Sequence, residues 1–228
     1  MTRITEQLAR LQRRVKSAAE SAGRDPESVR ILAVSKKQPV GALQAAYGAG
    51  LRHFGENYVQ EALDKISALD SAAIWHFIGP IQSNKTRQIA ENFDWVHTVT
   101  SGRIAERLSN GRPPDRNDLQ VCIQLQPHDA EDRNGVTEDR LADLAARIAA
   151  APGLRLRGLM IMPLPGLAEM EIRREFARAR RLLDELAGGG YAVDTLSMGM
   201  SADLEAAIME GSTCIRIGTN LFGTRDYG

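Results

Sequence analysis

Eight short runs rich in branched and aromatic residues punctuate this chain, and stretches with helical spacing fill the gaps between them. The runs are RILAVS (30–35), LRHFG (51–55), IWHFIG (74–79), WVHTV (95–99), LQVCIQL (119–125), LRGLMIM (156–162), DTLSMG (194–199) and CIRIG (214–218). Helical patterns follow Asn57 and occupy 85–92, 137–151, 168–187 and 202–210. Strands alternating with helices imply right-handed crossovers and a parallel sheet covered on both faces. Eight such units in 228 residues predict a single α/β domain over 1–228, a closed (β/α)8 TIM-type barrel. An open doubly wound sheet is the competing arrangement. Ahead of the first strand, Ile4, Leu8, Leu11 and Val15 keep a helical spacing, so residues 3–22 read as an amphipathic N-terminal helix.

Composition narrows the function. Twenty-nine basic and twenty-nine acidic residues cancel, so nothing in the balance attracts nucleic acid or an anionic membrane surface, and a small-molecule partner is expected. The opening residues, MTRITEQLARLQRRVK, are charged throughout and lack the apolar core of a secretory signal, which predicts a cytoplasmic protein. Cys122 and Cys214 stand apart in apolar contexts and read as reduced core thiols. His53, His76, His97 and His128 show no metal-ligand spacing, and His76 reads as a strand histidine satisfied by hydrogen bonds. No metal is expected. Glu56, Glu61 and Asp64 read as the solvated face of one helix. NGRPPDRND (110–118) reads as a surface connection, and GGG (188–190) as a helix stop.

In a barrel, the residues that follow each strand form the active face. Lys36 follows the first strand, in a chain that has only five lysines. Ser201 follows the seventh, at the expected N-cap of a helix, where a hydroxyl and unsatisfied backbone N–H groups suit a phosphate. Gly218 and Thr219 follow the eighth and add close backbone approach and a second hydroxyl. A lysine amine attacks an aldehyde, and pyridoxal phosphate carries both an aldehyde and a phosphate. Arg216, two residues before Gly218, points into the barrel and needs a partner there. A guanidinium donates to a pyridine nitrogen and cannot accept from it, so it would leave that nitrogen unprotonated. Each residue also has a plainer reading: Lys36 reaching solvent, Ser201 a mere cap, Gly218 a turn, Arg216 in a structural ion pair. Lys37 is expected on the opposite side, solvated.

AVSKKQP, HFGENYVQEALDK, WHFIGPIQSNK, RLRGLMIM and LSMGMSADLEAAIMEGSTCIRIGTNLFG together resemble the pyridoxal phosphate homeostasis protein family, over nearly the whole chain. The resemblance implies a barrel like the N-terminal domain of alanine racemase, with pyridoxal 5'-phosphate held as an imine on Lys36. It further implies phosphate contacts from Ser201, Gly218 and Thr219, Arg216 near the pyridine nitrogen, and Asn57 and Met198 lining the cofactor. A second lysine, often found in that family two places after the imine lysine, is replaced here by Gln38, with Lys37 adjacent instead. The function implied is binding and management of the cofactor in vitamin B6 homeostasis without robust turnover. Pyridoxal phosphate-dependent apo-enzymes are the implied recipients. A racemase-type enzyme is the alternative. Because the tyrosine base of alanine racemases lies in a further domain that does not follow here, binding by a monomer is expected.

Overall fold

The structure, a computed structural model, describes residues 3–69, 72–128 and 134–223. Eight parallel strands close on themselves in sequence order: β1 (Arg30–Val34), β2 (His53–Glu56), β3 (Ile74–Phe77), β4 (Trp95–Val99), β5 (Leu119–Gln124), β6 (Leu154–Met160), β7 (Thr195–Ser197) and β8 (Cys214–Ile217). The β1–β8 ladder that closes the ring pairs Leu32 with Arg216 and Ala33 with Ile217. The barrel reading holds, and the open sheet is excluded.

Each strand end is set by where a turn claims the backbone. β2 starts two residues later than expected because the Leu51 N–H caps the preceding helix at the Ala46 carbonyl. β6 starts earlier, at Leu154 opposite Leu119, and carries an irregularity at Gly158. There φ is +150° and a Cβ would sit 1.9 Å from the Thr195 carbonyl oxygen, so only glycine fits. β7 is cut to three residues because Gly199, at φ +94°, turns the chain away.

The helices are α1 (Arg3–Ser21), α2 (Val40–Gly48), α3 (Val59–Ala68), α4 (Thr86–Asn92), α5 (Gly102–Gly111), α6 (Glu138–Ala150), α7 (Glu169–Gly188), α8 (Leu204–Met209) and α9 (Thr219–Phe222). Two apolar regions result. Residues facing outward from the strands, such as Phe54, Phe77, Ile123 and Ile217, join the helices in one large core. Inside the barrel, Trp95, Cys122 and Met160 form a small separate cluster. Leu8, Leu11, Val15 and Ala19 bury the inner face of α1 as its spacing predicts, each leucine contributing roughly 1.5–3 kcal/mol. Arg14 on α1 donates twice to Glu205 on α8, at 2.7 and 2.9 Å, and once to the Ser201 carbonyl at 3.3 Å. The N-terminal helix thereby braces a loop of the active face. Among the described residues, no helix is long and apolar enough to cross a membrane.

Candidate functional site

At the C-terminal mouth, β1 runs past the Leu32–Arg216 pair and ends in a tight turn over Ser35–Gln38. The Ser35 N–H donates to Gly55, the Gln38 N–H to Ser35, and Lys37 adopts φ +59°, a left-handed conformation rare for a residue with a Cβ. Lys36 is half-buried in this turn and Lys37 is exposed.

The turn is fixed from behind by a buried ionic cluster. Lys65 on α3 donates to the Ser35 carbonyl (2.7 Å), to Glu56 Oε1 (2.8 Å) and to Glu61 Oε1 (2.6 Å). The Ser35 hydroxyl also donates to Glu56 Oε1, at 2.6 Å, and the Lys37 N–H donates to Glu61. The expectation of a solvated carboxylate face is therefore corrected. Glu56 belongs to β2, not to a helix, and is fully buried, while Glu61 caps the lysine turn. Burial raises the Glu56 carboxyl above its ordinary range, against the opposing pull of hydrogen bonds from Lys65 and Ser35. Its Oε2 has no hydrogen-bond partner.

Across the mouth, the loops after β7 and β8 lie together. The Asn220 amide donates to the Ser201 carbonyl at 3.2 Å. The predicted N-cap role of Ser201 is corrected as well. The N-cap of α8 is Asp203, whose carboxylate accepts from the Met200 N–H and ties 200–203 into a turn that consumes the first expected helical residues. Ser201 stands half-buried in that turn. Gly218 is the N-cap of α9 and Thr219 its exposed first residue, both directly after β8 as the sequence places them. Met198 stands apart from the group. Its side chain is fully buried in the outer core, its N–H donates to Cys214, and its carbonyl accepts from Ser212. Asn57 follows β2 at the mouth, and its Oδ1 is buried without a hydrogen-bond partner.

Arg216 lies beneath these loops, buried on β8. Its terminal nitrogens donate to the Ser197 carbonyl (2.6 Å), the Ser197 hydroxyl (2.9 Å) and the Ile161 carbonyl (2.9 Å). No ion pair to a carboxylate holds it among the described residues. Burial lowers its pKa, yet a guanidinium stays charged at neutral pH. Among the described residues three of its five N–H groups are used, and two have no assigned acceptor.

The barrel interior also holds residues whose cooperation the sequence did not reveal. His53, His76 and His97, on β2, β3 and β4, are joined in series by ring nitrogens 2.9 Å apart, and His97 Nδ1 lies 2.8 Å from the Ser197 hydroxyl. Burial, with help from nearby positive charge, depresses all three imidazoles, His53 to about 4 and His97 to about 3. They are neutral at physiological pH. Strand parity was the available signal: His97 lies two residues from the lumen residue Trp95, and His76 lies between the outward-facing Trp75 and Phe77.

Comparison with known proteins identifies this arrangement. The model of the alanine racemase N-terminal domain matches residues 7–226. The pyridoxal phosphate homeostasis proteins of Pseudomonas aeruginosa and Escherichia coli are 52% and 47% identical, covering 100% of this chain and 98% and 99% of their own. Among solved structures, PipY of Synechococcus elongatus, known both without PLP and with PLP bound, is 37% identical, with a TM-score of 0.85 over 97% of this chain and 100% of that one. Alanine racemase from Corynebacterium glutamicum shares the fold, with a TM-score of 0.70 at 18% identity, covering 97% of this chain and 62% of that one. Matches of this length and identity place the chain in the pyridoxal phosphate homeostasis protein family, built on the barrel of the alanine racemase N-terminal domain.

Proposed function

We propose that this protein binds pyridoxal 5'-phosphate as an imine on Lys36 and holds it for release to cofactor-dependent apo-enzymes of the cytoplasm, acting as a monomer without robust turnover of its own. The observation that carries the reading is the buried Arg216. Its charge has no acidic partner among the described residues, and two of its N–H groups remain unassigned beneath the loops that carry Ser201, Gly218 and Thr219. A burial of this kind is costly unless a ligand completes it. The unpartnered Asn57 Oδ1 at the same mouth supports the fit, as does the PLP-bound structure of PipY at 37% identity.

When bound, the cofactor supplies an electrophilic carbon and an electron-withdrawing ring. The chain's own contribution is placement. The Lys65–Glu56–Glu61 cluster holds the Lys36 turn rigid, so the amine is offered in one position. Ser201 and Thr219 offer hydroxyls, and Thr219 the first free N–H of a helical turn, to a phosphate. Met198 supports that loop from the core side. Arg216 would donate toward the ring nitrogen and leave it unprotonated, which would weaken the ring as an electron sink and favour holding over turnover.

Reconstitution tests this directly. Wild-type protein is expected to gain an imine absorbance band that Lys36→Ala loses while keeping the same far-ultraviolet circular dichroism. The loaded protein should not exchange the α-protons of L-amino acids in deuterated water. An unchanged band in Lys36→Ala would overturn the assignment of the lysine, and rapid Lys36-dependent exchange would mean an enzyme.

A further inference from the structure

We propose that Ser197 and His97, backed by His76 and His53, are positioning residues that aim the Arg216 guanidinium at the cofactor's ring nitrogen, with all three imidazoles in the Nε2–H tautomer. The proposal deepens the reading of Arg216 given above and rests on it.

The hydrogen-bond arithmetic fixes the direction of the column. Arg216 can only donate, and one of its N–H groups points at Ser197 Oγ from 2.9 Å. The serine hydroxyl is then left with its own proton to place. His97 Nδ1, at 2.8 Å, is the strong acceptor within reach; the thiol of Cys214, which also touches Ser197, is a weak one. If His97 Nδ1 accepts, its proton sits on Nε2 and is donated to His76 Nδ1. The same logic passes on: His76 Nε2–H donates to His53 Nδ1. Reversed, the column would make Ser197 Oγ accept from both Arg216 and His97 and leave its own proton only the weak Cys214 sulfur.

The consequence is electrostatic. Each Nε2–H imidazole presents its lone pair toward Arg216 and its N–H toward His53, so three dipoles point their negative ends at the buried cation. A carboxylate in their place would pair with the guanidinium and cancel the charge felt at the ring nitrogen. Neutral dipoles stabilise the cation and leave that charge intact. The remaining charges around the column are consistent with neutrality of the histidines: Arg30 acts on all three, and Arg216 acts on His97. Cys214, Asp203 and Cys122 act on Arg216 itself.

Two measurements decide it. Two-bond proton–nitrogen correlation spectra of histidine-labelled, cofactor-free protein are expected to show His76 and His97 protonated at Nε2 alone; a protonated Nδ1 on His97 would overturn the direction and the proposal with it. In loaded protein, Ser197→Ala is expected to shift the acid limb of the cofactor's absorbance titration to higher pH by about one unit, because a loosened guanidinium no longer opposes ring protonation. Ser197→Thr, which keeps the hydroxyl, should restore the wild-type midpoint, whereas an identical midpoint in all three proteins counts against the column. Failure of wild-type protein to load would instead refute the functional reading, while the cofactor-free spectra would still judge the tautomers.

Discussion

Acid should destabilise this protein before its carboxylates are protonated, and His97 supplies the clearest part of the reason. An unfolded histidine titrates near 6.5, whereas the buried His97 imidazole is held down to about 3. A depressed folded-state pKa contributes stability that is complete above the unfolded value and is lost as pH falls toward the folded one. At pH 5 the unfolded chain has taken its proton and the native protein has not. The loss relative to pH 8 is 1.36 kcal/mol for each of the intervening 1.5 units, about 2 kcal/mol. His76, fully buried and shifted the same way, adds to it. Glu56 works in the opposite sense, because its raised carboxyl binds a proton in the native state before the unfolded one does. The ion-paired Glu138, Asp194 and Glu205, all depressed, lose their stabilisation as pH falls through the unfolded carboxylate value, from about pH 5 downward, and so barely enter this window. Urea unfolding at pH 8 and pH 5 measures the difference. His97→Gln, whatever its absolute stability, should lose about 2 kcal/mol less than wild type between the two pH values. Equal losses in the two proteins would show that His97 is either protonated or solvated in the native state, and the neutral column would fall with it.

Two further outcomes are expected. Lys65→Met removes the cation that compensates the buried Glu56 and should destabilise the fold by about 3 kcal/mol at pH 8; Lys65→Met with Glu56→Gln should recover part of that in thermal melts, and no recovery would place the cost elsewhere. Ser201→Ala and Thr219→Val should each weaken cofactor retention, measured by equilibrium dialysis, by about fivefold, a single hydrogen bond's worth, with the absorbance of the bound cofactor unchanged; unaltered retention in both would move the phosphate to other groups.

The barrel was legible because periodicity reports burial, and burial is what the strands and the α1 stripe share. The positions of Lys36, Gly218 and Thr219 were legible for a related reason: strand order and direction alone decide which residues emerge at the mouth. Ser201 was misread locally. A serine before a helical run has the chemistry of an N-cap, but Asp203 competes for the same role and its carboxylate holds the Met200 N–H, so the helix starts three residues beyond Ser201. Glu56 and Glu61 were misread for a deeper reason. Their spacing looks like a polar helix face, and only the closure of β1 against β2 brings Ser35 and Glu56 to the same lysine. The histidine column is the same problem on a larger scale, since His97 and Ser197 are a hundred residues apart and meet only across the lumen.

The two apolar regions explain how the lumen can hold so polar a column. Stability in a barrel of this kind comes mainly from the layer between strands and helices, where Phe54, Phe77, Phe93 and Phe176 are fully buried. The lumen contributes little more than the cluster around Trp95, whose ring also lies under the guanidinium groups of Arg30 and Arg157 at 5.1 and 4.8 Å. Arg30 sits at the N-terminal end of β1, Arg157 midway along β6, and Arg216 near the C-terminal end of β8. A protonated histidine between them would be repelled from both ends. Neutral imidazoles avoid that repulsion and still satisfy one another's hydrogen bonds. On the proposed role of Arg216, neutral imidazoles preserve the charge it presents at the mouth, and that advantage disappears if Arg216 has no ligand to face.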